Sequence, residues 1–250
     1  MKVIINADDL GFSRPVNDAI FDLMSRGKIT SATIMANGGA VQEAARRVRE
    51  FSKCSFGVHL NLTEFFPITK HAGLSRLLDR DGRFQGKAIR SVKINSELRE
   101  AVFEELSGQI QRVIDLGVEV SHLDSHHHVH TVAGLLGVVK RLQKRFGIRK
   151  VRLTMNIYPP DLPVSRKLLA AKWLWNFGMR RWYRTITTEG FTGFQGFCAT
   201  RAQQLMRYRS VELMVHPGAE IFAKETAMLE EDWRGLMEFG VELVNYKELA

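Results

Sequence analysis

Side chains able to bind a divalent cation gather in two short segments far apart in the chain. They are Asn6-Ala7-Asp8-Asp9 and His122-Leu123-Asp124-Ser125-His126-His127-His128-Val129-His130. Adjacent aspartates and clustered histidines make poor cores and poor turns, whereas carboxylate oxygen and imidazole nitrogen at strand ends are the donors a divalent metal requires. The chemistry this combination points to is metal-assisted hydrolysis. Asp8 and Asp9 cannot both face one side of a regular strand, because successive residues alternate. At a strand end, where Gly11 lets the chain turn, both can reach one site from different angles. That arrangement suits divided labour, with one carboxylate on the metal and the other nearby as proton acceptor. The competing role for the pair is to cap the helix that follows, but Ser13 is better placed for that.

His59 sits in an otherwise apolar run, Phe56-Gly57-Val58-His59-Leu60-Asn61-Leu62, where a lone histidine is ordinarily a hydrogen-bonded core residue. Asn61 shares its face, which makes the run a polar stripe and Asn61 a candidate substrate contact. His122, Asp124, His126, His128 and His130 also alternate, so only some of them can reach a common site. Asp9, His59 and His126 would form a two-histidine, one-carboxylate set with positions open for water and substrate. His216, followed by Pro217-Gly218 at a strand-to-loop transition, has the proton affinity of a general acid for a departing amine. Arg152 is open to three roles: orienting substrate oxygens, orienting the Asp8 carboxylate, or forming a structural ion pair.

These residues need elements to hold them. β-branched and apolar runs predict strands at 3–6, 30–35, 56–62, 118–123, 151–153, 193–197, 211–215 and 241–246. Helical spacing predicts helices over 13–24, 40–51, 96–116 and 132–146, with a long connection over 65–93. Such alternation implies parallel β/α units in a single α/β domain spanning 1–250. The polar residues recur late in strands or just beyond them: Asp8, Asp9, His59, His126, Arg152 and His216. In a β/α barrel those ends form one mouth, so a TIM-like barrel is expected ahead of an open doubly wound sheet.

With 250 residues, 45% hydrophobic and 25% charged, the chain has the composition of a globular domain and not of a disordered one. No apolar run approaches the length of a bilayer span. Cys54 and Cys198 are too few for a disulfide framework and lack metal-ligand spacing. The N-terminus runs straight into the Asp pair, so a cleavable leader would have to contain the candidate site, and a cytoplasmic location with reduced thiols is expected. The net charge of +9 concentrates between Lys140 and Arg184, where Asp161 is the only acid. Such a block could meet an anionic membrane, an acidic substrate or nucleic acid. No zinc-finger, RNP-like or helix-turn-helix pattern supports nucleic acid, so that partner is not expected.

Four ordered segments, Asn6-Ala7-Asp8-Asp9-Leu10-Gly11, Gly57-Val58-His59-Leu60-Asn61-Leu62-Thr63, the run from His122 to His130, and His216-Pro217, resemble the YdjC/ChbG family of carbohydrate deacetylases. The resemblance runs from Met1 to about Leu153 and returns around His216. It implies a distorted (β/α) barrel and hydrolysis of N-acetyl groups from amino sugars, whether in an oligosaccharide or a lipid-linked glycoside. Carried over by position, Asp8 is the base, Asp9, His59 and His126 are the metal ligands, and His216 is the late catalytic histidine. One divalent ion is implied: two imidazoles favour Zn2+, and the family also shows magnesium-like (Mg2+) occupancy. The same ligands would serve hydrolysis of another amide or a phosphate ester, or a non-catalytic sugar- or lipid-binding protein.

The departure from the family falls around 156–197, a basic stretch with Trp173, Trp175 and Trp182. Leu168, Ala171, Trp175, Met179 and Trp182 lie on one helical stripe. That helix either packs on the barrel or lies in the surface of an anionic membrane, placing the protein peripherally at the inner membrane. A homodimer is the default expectation for oligomeric state.

Overall fold

The computed structural model describes residues 1–86, 88–235 and 237–249. Its strands are β1 (Lys2–Leu10), β2 (Ser31–Ile34), β3 (Ser55–Leu60), β4 (Val120–Ser125), β5 (Gly190–Gly193), β6 (Ser210–Val215) and β7 (Glu242–Leu243). The α-helices are α1 (Arg14–Ser25), α2 (Val41–Arg47), α3 (Ser96–Asp115), α4 (Leu136–Phe146), α5 (Arg166–Arg181), α6 (Phe194–Cys198), α7 (Ala202–Leu205) and α8 (Ala223–Glu230). All strand pairs are parallel, in the order β4-β3-β2-β1-β6-β5, with β7 paired to the start of β1. The sheet curls into a half-barrel. Between its edge strands, isolated bridges from Leu123 to Val151 and from Lys150 to Ile186 replace a continuous strand. The result is a single-domain α/β fold of distorted (β/α)-barrel type.

Period-two alternation along the strands sorts the chemistry from the packing. Val3, Ile5 and Ala7 of β1, Val58 and Leu60 of β3, Leu123 of β4 and Val211, Leu213 and Val215 of β6 join one apolar core with α1, α3 and α4. Each such side chain contributes about 1.5–3 kcal/mol when fully buried. The alternate positions, Asn6 and Asp8, Thr33, His59, His122 and Asp124, and Glu212, are buried and polar. They hydrogen-bond to one another across strands, so the concave side of the sheet is a packed polar interior. Tyr246 closes this interior, stacking on His122 at a centroid distance of 3.6 Å and donating from its hydroxyl to Glu212.

Several boundaries differ from expectation. The strand predicted at 193–197 lies earlier, at Gly190–Gly193, and Phe194–Cys198 is helical. Helical spacing there lets Phe194 and Phe197 both reach the Trp233 ring, at 5.3 and 6.1 Å. Residues 151–153 form one bridge in place of a strand, and 241–246 holds only a two-residue strand before the chain turns Tyr246 inward. Ser13 occupies the N-cap position of α1 without a capping hydrogen bond, and the side-chain Oδ1 of Asn17, in the first turn of α1, accepts from the Gly11 N–H at 2.6 Å. The long connection over 65–93 is anchored by buried Glu105 of α3, which accepts from the backbone of Ile68 and Thr69.

Candidate active site and metal centre

The mouth of the site is made where β1 stops being regular. Pairing with β2 slips between Ala7 and Leu10, and Asp9 takes a left-handed φ of 68°. This kink turns Asp9 toward the opening while Asp8 stays on the inward face. Gly11, with φ of 93°, completes the turn. Both aspartates therefore reach one region, as the pairing of Asp8-Asp9 with Gly11 implied.

Asp9 Oδ1 lies 3.2 Å from His59 Nε2 and 2.8 Å from His126 Nδ1. These close approaches lack hydrogen-bond geometry: Asp9 Oδ1 is buried without a hydrogen-bond partner, and so is His126 Nε2. One carboxylate oxygen and two imidazole nitrogens thus converge on a common point without saturating one another, as donors to a cation do. The other ring nitrogen of His59 is held by Asp124 Oδ1 at 2.8 Å, which fixes the ring with Nε2 toward Asp9. Burial would drive the His59 ring toward neutrality, but Asp124, Asp8 and Asp9 around it raise its proton affinity well above the usual. Asp8, His59 and Asp124 also lie close enough to ligate. Their atoms are already engaged by Arg152 and Thr33, so that group is a hydrogen-bonded network and fits a metal less well. The Asp9, His59 and His126 donor set fits one divalent ion.

Asp8 is gripped by Arg152 through both guanidinium nitrogens, Nη1 to Oδ2 at 2.7 Å and Nη2 to Oδ1 at 2.6 Å. Asn6 adds a further bond to Oδ1, at 3.0 Å, so Oδ2 keeps the freer lone pair. Burial pushes the Asp8 carboxyl up, yet the charge and hydrogen bonds of Arg152, aided by His59 and His216, hold it well below the usual range. His216 Nε2 stands 3.9 Å from Asp8 Oδ2. Its ring stacks on Phe222 at 4.3 Å and its backbone N–H donates to Glu225. Burial lowers the proton affinity of His216, but Glu225, Asp8 and Asp9 outweigh it and raise the group above its ordinary value.

The structure thus brings together Asp8, Asp9, His59, His126 and His216. Arg152 and Asn61, the candidate substrate contacts, are buried and engaged by protein partners. Arg152 is enclosed by Asp8, Asp124 and Glu212, and Asn61 uses its amide to shape the turn through Thr63 and Glu64. That turn brings Glu64, which the sequence reading missed, to 3.3 Å from His126 Nε2. Glu212 and Glu225 were also missed. Only the alternation along β6, which sets Glu212 among apolar neighbours, could have signalled the first. His127 and His128 both adopt left-handed backbone, a strained feature of the kind that gathers at functional sites.

The fold and site define a single-domain α/β half-barrel with a carboxylate–imidazole centre at the C-terminal ends of its strands. Residues 2–243 match the model of the YdjC-like protein family, and the chain belongs to that family. It is 32% identical over 228 residues to a carbohydrate deacetylase of Brevibacillus brevis, covering 87% of this chain and 81% of that one. It is also 32% identical over 222 residues to a chitooligosaccharide deacetylase of Salmonella paratyphi B, covering 86% and 81%. A crystal structure from Enterococcus faecalis V583, of a protein whose name links it to cellobiose-phosphate cleavage, superposes with a TM-score of 0.78 at 25% identity. That match covers 100% of this chain and 98% of the other.

Proposed function

We propose that this protein is a metal-dependent hydrolase that removes the N-acetyl group from an amino sugar. The observation that carries the reading is the convergence of Asp9, His59 and His126 on one point, with the ionised Asp8 carboxylate and the His216 ring beside it. The names of the relatives from Brevibacillus brevis and Salmonella paratyphi B support the substrate class. A divalent ion held by Asp9, His59 and His126 would polarise the acetamide carbonyl and acidify water. Asp8, through Oδ2, accepts the proton of the attacking water, while Arg152 keeps the carboxylate ionised and aimed. His216 delivers a proton to the departing nitrogen, and acetate and a free amino sugar leave. Arg152 and Asn61 act as positioning residues in this scheme, the first on Asp8 and the second on the turn carrying Glu64.

Peripheral contact with an anionic membrane belongs to the same reading. α5 packs inward through Trp175 and Met179 but leaves Trp173, Leu174 and Phe177 exposed, flanked by Arg166 and Lys167 on one side and Arg180 and Arg181 on the other. A symmetric second copy on this face would set like charges together, whereas anionic headgroups complement them. Among the described residues, no helix is long and apolar enough to cross a membrane.

Acetate release from N-acetylated chito-oligosaccharides, before and after chelation and with Zn2+ or Mg2+ restored, tests the reaction. Release that chelator abolishes and metal restores is expected. Phosphate release from sugar phosphates without any acetate release would replace this reading with an esterase.

A further inference from the structure

We infer that Glu64 is a positioning residue for the metal ligand His126, accepting the proton that its imidazole keeps when it ligates. This rests on the metal centre proposed above and is independent of the substrate. A neutral imidazole carries one proton, on one nitrogen or the other, and only the bare nitrogen can ligate. His126 turns Nδ1 toward Asp9 Oδ1, at 2.8 Å, and Nε2 toward Glu64 Oε1, at 3.3 Å. Ligation through Nδ1 therefore puts the proton on Nε2. That atom is buried and has no formed hydrogen bond among the described residues. Water does not reach it, so an N–H there needs a protein acceptor, and the Glu64 carboxylate stands within reach.

His59 follows the same plan with its nitrogens exchanged. Its Nε2 faces Asp9 at 3.2 Å, while Nδ1 lies 2.8 Å from Asp124 Oδ1. Each ligating imidazole thus has a carboxylate behind it, the pairing that fixes the ring and raises its basicity toward a metal. The two carboxylates differ in setting. Asp124 is fully buried and also meets Arg152 and Thr33. The Glu64 side chain is 37% exposed, and its one ion pair among the described residues is with His126.

The backbone is built to hold Glu64 in place. Its N–H donates to Asn61 Oδ1 at 3.2 Å, and its carbonyl accepts from Asn61 Nδ2 at 2.8 Å and Asn37 Nδ2 at 3.2 Å. Phe65 follows with a left-handed φ of 61°, a costly conformation for a bulky residue. Its ring packs edge-on to Phe12 at 4.9 Å, and its carbonyl accepts from the Phe84 N–H at 2.8 Å. The His126 ring is flanked by Phe12 at 6.4 Å and His127 at 4.1 Å, which leaves its nitrogen edges to Asp9 and Glu64. A second ion held by Glu64, His126 and His127 is the competing use of the same atoms. It would make His126 ligate through both nitrogens and surrender the proton that a neutral imidazole holds strongly.

Zn2+ titration against a competing chelator, with the unaltered protein, Glu64→Ala and Glu64→Gln, tests this. Glu64→Ala should weaken binding by about 10–100-fold. Glu64→Gln keeps an acceptor oxygen without the charge and should lose a smaller but measurable part. Thermal unfolding of the metal-free proteins should differ little, which separates the effect from a structural one. Nitrogen NMR of the Zn2+-loaded protein should place the His126 proton on Nε2, exchanging slowly, and faster in either variant. Saturating Zn2+ should restore turnover in Glu64→Ala, as it could not for a lost proton-transfer group. If Glu64→Ala does not fold, Glu64→Gln and the position of the His126 proton decide. Equal Zn2+ affinity in the folded proteins, or a His126 proton on Nδ1, overturns the proposal. A second equivalent of Zn2+ that is lost in the variants overturns it too, in favour of Glu64 as a ligand. No Zn2+ bound by the unaltered protein overturns the metal centre along with it. Zn2+ binding that weakens in the variants, with no acetate released by any of the proteins, supports Glu64 while overturning the deacetylase reading.

Discussion

Asp8 and Asp9 are adjacent in sequence, yet their surroundings give them different work. Asp8 faces a fixed cation, Arg152, which leaves it ionised but no longer free to ligate. Asp9 meets two imidazoles and keeps an oxygen with no hydrogen bond. Asp8→Asn should therefore lower turnover by roughly 10²–10⁴-fold, the range for removing a general base, while Zn2+ affinity measured by calorimetry holds. Loss of the metal in that variant would contradict the division of roles. Asp124 acts one step further out, fixing His59 through Nδ1. Asp124→Asn weakens that hold, and a fall of about 10–100-fold in metal affinity is expected in a competition titration against a chelator. Metal affinity equal to that of the unaltered protein would detach Asp124 from the centre.

At the scale of elements, the turn after β1 and the helix α5 make opposite demands. The β1 turn needs close backbone approach. A Cβ built at Gly38 would sit 2.3 Å from the Gly11 carbonyl oxygen, and that atom is backbone and cannot swing away. Gly38→Ala should therefore cost stability on the order of 1–3 kcal/mol, as overpacking does, and shift the Asp9 turn. Thermal unfolding and metal titration of the one variant read both effects, and unchanged values in both would mean the turn is softer than its contacts imply. The α5 surface, by contrast, is unfilled. With Trp173→Asp and Phe177→Asp together, co-sedimentation with vesicles containing anionic phosphatidylglycerol should be lost at low salt. Absence of any binding by the unaltered protein would remove the membrane from the account. Of the α5 stripe read from helical spacing, Trp175 and Met179 pack inward, while Leu168 and Ala171 are exposed and Trp182, just past the helix end, is exposed as well. The exposure of Trp173 and Phe177 was not legible, because which face of a helix remains uncovered depends on neighbours distant in the chain.

Across the whole molecule, what local pattern could reveal was the strand alternation, the paired aspartates and the histidine run. Long-range polar pairing could not be read in that way. Arg152 joins Asp8 of β1, Asp124 of β4 and Glu212 of β6, and Tyr246 near the end of the chain bonds Glu212. No periodicity marks such partners, since only the curl of the sheet makes them neighbours. Arg152 faces all three carboxylates, while His59 faces Asp8 and Asp124, so the burial of Glu212 is the least compensated. Burial pushes its carboxyl up to about 7 despite Arg152 and Tyr246, from an ordinary value of 4.5. A folded-state value above the unfolded one means that the bound proton favours the fold. That contribution is complete below pH 4.5 and is lost as pH rises through 7. The change amounts to about 3 kcal/mol at most. Glu212→Gln imitates the protonated form and has no such dependence. Its stability relative to the unaltered protein, measured by urea unfolding of the metal-free proteins, should improve between pH 5 and pH 8 whatever its absolute sign. A difference that stays constant across that range would mean Glu212 is ionised throughout.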